Sequence, residues 1–456
     1  MEDLPPSYGS LFNEHRSGLS YIDFLPGVLK EGFFCNAEYD RFENVIALAN
    51  EWLKFNPQWK IKTCESIEFK DGRGSINPTE MVYYESTKYR TNFIRGLRLW
   101  LQIFPPGEER VQKIGYVNLV PEAEGTEGIF THAKYETLDD VLLKFNNASR
   151  TSPLPGRIIT IETQNMKIKS GGVIDPNRCS WTEYGERYTR FIYVIRIFYE
   201  VCEPLYEEIG INDFIPDIIS TSYCGLLPKY EYLSTLFEKA SNWSSSQSDL
   251  RICNLQSLEV KVHDGMVNPK KMSYTEHGNR RLAFARVLRV AYIRQQPLNY
   301  TAPVHLSYKS FVPAQTKPET LMTCYRPTAE TLQETMQRVS SWIQATGAEV
   351  INMETSAIRL NRKGAVHSSE KNYSYETNAN SEAYIFVIRA YLKGSYTEPY
   401  EDTTTPLRRL INPVFIIVII VAVFLIVSLI LFLCYFIPHQ LMKKDFDEKF
   451  NKAFEH

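Results

Sequence analysis

The sequence predicts an α+β fold: four tandem repeats of about 95 residues, each an extended segment, a helix and two strands in antiparallel sheet, plus one C-terminal transmembrane helix. Three observations predict it. Four short apolar segments end in proline, and Pro26, Pro121, Pro216 and Pro313 are spaced by 95, 95 and 97 residues. Four glutamates, Glu85, Glu183, Glu276 and Glu376, each precede an arginine by 13 residues, namely Arg98, Arg196, Arg289 and Arg389. Residues 413–437 form a 25-residue apolar run in which Ser428 is the one clearly polar side chain.

The extended segments close on Phe24-Leu25-Pro26, Leu119-Val120-Pro121, Phe214-Ile215-Pro216 and Phe311-Val312-Pro313. A helix is predicted after each. In the fourth repeat Leu332, Met336, Val339 and Ile343 make one apolar stripe, and Gly347 stands where a helix C-terminus is expected. Phe42, Val45, Ile46, Ala49 and Leu53 do the same in the first repeat, Leu138, Val141, Leu142 and Phe145 in the second, and Leu233, Leu236, Phe237 and Ala240 in the third. Trp52, Trp243 and Trp342 lie near the helix ends, with Phe145 in the comparable place.

A strand comes next, carrying an acid or amide before a small hydroxyl residue: Glu65-Ser66, Glu162-Thr163, Gln256-Ser257 and Glu354-Thr355. A polar loop then leads through aromatic residues to the second glutamate, and a long strand carrying the arginine follows. The two strands can pair antiparallel across the loop. The long strand is apolar on both faces, as in TRFIYVIRIFY, so it belongs at the centre of a sheet. A guanidinium buried there needs partners. A carboxylate can accept two of its donors side by side, so Glu85–Arg98, Glu183–Arg196, Glu276–Arg289 and Glu376–Arg389 are the expected structural ion pairs. Four copies of one pair read as a packing solution. The amide of Gln256 also cannot serve as a general base.

These elements divide the chain into a disordered tail at 1–18, repeats at 19–113, 114–208, 209–305 and 306–394, a linker at 395–412, the span at 413–437 and an amphipathic tail at 438–456. In that tail Phe446, Phe450 and Phe454 recur every four residues, on one helical face. At about 1.5 Å rise per residue the apolar run is long enough to cross a bilayer. The polar N-terminal stretch has no apolar run of a signal peptide. A single-pass, tail-anchored membrane protein with the bulk of the chain in the cytosol is therefore expected. The charge flanks argue the other way, since Lys443, Lys444, Lys449 and Lys452 follow the span and only Arg408 and Arg409 closely precede it.

A net charge of −2 and the lack of a basic stripe exclude nucleic acid as an expected partner. Seven cysteines outside the span, with no CxxC, read as free thiols. No phosphate loop, GxGxxG, nucleophile elbow or HExxH occurs, and the eight histidines show no ligand spacing. No enzyme activity, cofactor or metal is expected.

The sharpest linear signal is Pro5-Pro6-Ser7-Tyr8. Two prolines bias the chain toward polyproline II, the conformation that WW domains receive in aromatic-lined grooves. The PPxY form resembles the ligands of WW domains, including those of HECT-type ubiquitin ligases. That resemblance covers these residues alone, and it implies partner binding through Pro5, Pro6 and Tyr8. The expected function is a membrane-tethered adaptor or scaffold: PPSY recruits a WW-domain protein and the repeats bind a further partner. The alternatives are a single-pass ligand-binding protein whose repeats close around a cavity, and a membrane-bound enzyme.

Overall fold

Each extended segment ends two residues before its proline: the strands are Ser20–Phe24, Ile114–Leu119, Glu207–Phe214 and Leu306–Phe311. Proline has no N–H to give to a ladder, so the strand stops and the chain turns toward the helix. The computed structural model describes residues 18–30, 37–71, 76–85, 91–125, 133–169, 172–183, 188–220, 228–263, 265–277, 282–295, 302–317, 328–360, 369–376, 382–399 and 425–431.

Four helices follow: α1 (Phe42–Phe55), α2 (Leu138–Thr151), α3 (Leu233–Ser245) and α4 (Leu332–Thr346). Their buried faces are the stripes read from sequence, except that Phe145 is only partly buried. Thr137 and Thr331 close capping boxes with Asp140 and Glu334. Gly347 ends α4 at φ 63°, and its N–H donates to Ile343 O at 2.9 Å. The aromatics at the helix ends meet those before the prolines. Phe24–Trp52, Phe214–Trp243 and Phe311–Trp342 are edge-to-face pairs with centroids 6.3, 5.9 and 5.6 Å apart.

The long strands Thr91–Ile103, Tyr188–Val201, Leu282–Gln295 and Glu382–Lys393 are each the middle strand of a sheet. On one side lies the inner strand of the same repeat, Trp59–Asp71, Gly156–Lys167, Leu250–His263 or Glu349–Arg359. On the other lies the extended segment. Every inner strand carries one register shift, at Lys62, Ile159, Cys253 and Ile351.

The glutamate-centred segment, expected as loop, is a strand, and it leaves its own repeat. Ser180–Glu183 pairs with Thr91–Ile94, Ser273–His277 with Tyr188–Ile192, and Tyr373–Glu376 with Leu282–Ala285. Val82–Glu85 of repeat 1 pairs with Glu382–Ile385 of repeat 4, which closes the cycle. The body is therefore mainly β rather than α+β: four antiparallel blades in a propeller-like ring, each completed by a strand of the next repeat. The aromatics in the donated strands stack on the receiving strand, as in Trp181–Phe93, Tyr274–Phe191 and Tyr83–Tyr384, at 5.1–5.2 Å.

The crossing chain also caps the helix it passes. The N–H groups of Phe42, Leu138, Leu233 and Leu332 donate to Asn177, Lys270, Glu370 and Thr79 O, each in the following repeat. Orphan donors at a helix start are thereby satisfied. Four apolar clusters straddle the joints, so each helix fills the wedge between two blades. In one wedge the ring of Phe42 lies 5.3 Å from Tyr116 and 6.3 Å from Phe198 of repeat 2.

Candidate functional site at the ring axis

Apart from the end of Leu250–His263, which pairs with Met266–Val267, the inner strands are the free edges of the four blades, and an unpaired edge leaves buried N–H groups to be satisfied. Side chains of the adjacent repeat satisfy them. Ser66 N–H donates to Glu162 Oε2 at 2.9 Å, Thr163 N–H to Gln256 Oε1 at 2.9 Å, and Ser257 N–H to Glu354 Oε1 at 2.8 Å. Thr355 N–H donates to Glu65 Oε1 at 2.6 Å and completes the circle. Gln256 also donates through Nε2 to Thr163 O at 3.0 Å, a bond no ionised carboxylate can make. A second polar tier adds Thr160 Oγ1, which accepts from Cys64 N–H at 3.1 Å, and Asn352 Oδ1, which accepts from Leu255 N–H at 2.9 Å.

The four arginines tie the same joints from the middle strands. Nη1 of Arg98, Arg196, Arg289 and Arg389 donates to Thr355, Ser66, Thr163 and Ser257, at 2.9, 2.8, 2.9 and 2.6 Å. Nη2 of the last three reaches a carbonyl 20 residues earlier: Pro176, Pro269 and Ser369. All four side chains are buried.

Their acidic partners differ from the sequence expectation. Arg98 makes a bidentate pair with Asp23 at 2.6 and 2.7 Å, and Arg289 one with Asp213 at 2.7 and 2.8 Å. Arg196 donates to Asn118 at 2.8 Å, and Arg389 lies 3.5 Å from Glu354. Glu276, the predicted partner of Arg289, is in the donated strand opposite Thr189, in another blade. Its charge acts on the ammonium of Lys261. The side chains of Glu85, Glu183 and Glu376 lie outside the described residues, and their strands also pair in the neighbouring blade. The sequence reading missed Asp23, Asn118, Asp213 and Ser310, which face the arginines in register from the outer side. Each stands three residues before the repeated proline, a signal that was present to be read.

Inner and outer positions together balance the charge. Arg196 has Asn118 and Glu162, Arg289 has Asp213 and Gln256, and Arg389 has Ser310 and Glu354: one carboxylate per guanidinium at the paired positions, with Glu370 also attracting Arg389. Arg98 has two, Asp23 and Glu65. Loss of hydration pushes the surplus carboxyl, Glu65, up to about 7, against the pull of Arg98. Glu162 is also raised by burial, with Arg196 opposing, and burial lowers Arg196 to about 10. Oε1 of Glu162 has no hydrogen-bond partner among the described residues.

Cys64, Cys179 and Cys253 are buried single thiols, the last two pushed up to about 12 by burial, and Cys202 is an exposed one. Among the described residues no His, Cys, Asp and Glu cluster could hold a metal. Pro5, Pro6 and Tyr8 lie outside the described residues. Of the expected span only Leu425–Leu431 is described, as helix, and no described helix is long and apolar enough to cross a membrane. No family model, curated protein or solved structure matches the chain.

Proposed function

We propose that this chain is a membrane-tethered adaptor. In this reading the ring is a rigid scaffold, residues 413–437 anchor it, and the PPSY segment recruits a WW-domain protein such as a HECT-type ubiquitin ligase. One observation supports a scaffold over an enzyme. The groups that recur in all four repeats are spent on the joints: the arginines donate across them, and the Glu, Gln, Ser and Thr positions accept there. A buried polar network committed to the joints rigidifies a body.

Pulldown from lysate with a WW domain tests the recruiting segment. Tyr8→Ala should abolish capture, and unchanged capture refutes the motif. Protease protection of intact microsomes, with a tag at each end, tests the tether. Digestion of the N-terminal tag with protection of the C-terminal one is expected. The reverse pattern places PPSY away from cytosolic WW domains and overturns the adaptor.

A further inference from the structure

The four register shifts of the inner strands come together at one end of the ring axis. Lys62, Ile159, Cys253 and Ile351 all line a single cavity of about 970 Å³, open to solvent. Ile61, Ile158, Ile252, Val304 and Val350 form an apolar patch in a wall that is otherwise polar and charged. A volume of this order accommodates a small organic molecule.

The charges at this mouth do not cancel. Lys60, Lys62, Arg110, Arg157, Arg251 and Lys393 line it, against Glu108, Glu200 and Glu349. Arg110 pairs with Glu200, Arg251 with Glu207 at 2.6 Å, and Lys393 with Glu349 at 3.5 Å. Lys62 makes no ion pair or hydrogen bond among the described residues. Glu349 is the one acid acting on its amine, and Lys60 and Lys393 repel it. Withdrawal from water lowers its affinity for a proton. Two of the three equivalent positions carry isoleucine, so the fold does not require an amine here. An amine held from water beside like charges is a cost that folding alone does not explain.

We propose that this mouth binds a small organic anion, an acidic group on an apolar body, with Lys62 as the charge partner of the acid. The apolar part lies against the isoleucine and valine wall, and Lys60 and Arg157 add attraction at the rim. The proposal does not rest on the adaptor reading, since the cavity is complete within the ring whether or not the chain is anchored.

The test is fluorescence titration of the full-length protein with 8-anilinonaphthalene-1-sulfonate, an anion with an apolar body. One-to-one binding is expected, competed by octanoate. Lys62→Met keeps the side-chain volume and removes the charge, and should weaken binding by about tenfold or more, whereas Lys62→Arg should largely retain it. The melting temperature of Lys62→Met should equal or exceed that of the wild type, which separates loss of a site from loss of the fold. Arg157→Glu alters only the exposed rim and should weaken binding as well. Absence of wild-type binding, or equal affinity in Lys62→Met and wild type, overturns the proposal.

Discussion

Glu65→Gln should make the protein more stable at pH 8 and leave it nearly unchanged at pH 5. Arg98 already has the two oxygens of Asp23, so the charge of Glu65 is surplus. Its carboxyl, near 4.3 in an unfolded chain, rises to about 7 in the fold. Between those values the folded state holds a proton that the unfolded state has released. Stability from this group is thus fully present below about pH 4.3 and lost as pH rises through about 7. A shift of that size is worth on the order of 3 kcal/mol, and Glu65 retains some exposed surface, so about 2 kcal/mol is the reasonable share. Gln256 shows how an amide fits: it accepts from Thr163 N–H and donates to Thr163 O. The same substitution costs the bond from Trp100 Nε1 to Glu65 Oε2, 3.0 Å long and worth about 1 kcal/mol, while the 3.0 Å contact of Thr355 Oγ1 with that oxygen is kept in reverse, the amide donating to the hydroxyl. The net gain at pH 8 is then about 1 kcal/mol, falling to zero or below near pH 5. Urea denaturation followed by tryptophan fluorescence at pH 5, 6, 7 and 8 measures it. A variant that loses stability at pH 8, or whose difference from wild type does not change with pH, refutes the charge accounting.

Gln256→Glu gives Arg289 a second carboxylate beside Asp213, and should destabilise by about 2 kcal/mol at pH 8 but little at pH 5. Gly347→Ala should lower stability by about 1 kcal/mol through backbone strain alone, because φ is 63° and a methyl there meets nothing within 4 Å. Thr331→Ala removes the cap of α4 and should cost about 1 kcal/mol, read as a shift in the urea midpoint.

Elements whose cause is local were legible in the sequence. The helix stripes recur at a period the backbone imposes, and the prolines end their strands by lacking a donor. The repeat length and the central place of the long strand also followed from pattern. What escaped was the destination of each four-residue strand, because a segment that short carries no record of which edge it joins. The constant 13-residue interval between Glu85 and Arg98, and its three copies, spans the path from a strand in one blade back to the middle strand of the next. The partners of the arginines lie far off in the chain, Asp23 being 75 residues from Arg98 and Thr355 being 257. Only the two positions taken together expose the rule. Where the outer residue is Asn118 or Ser310 the inner one is an acid, and where the outer one is Asp213 the inner one is Gln256. Each substitution alone looks like drift. Opposite a guanidinium that keeps its proton at neutral pH, the two positions compensate, because a buried cation tolerates either neighbour so long as one of them is charged.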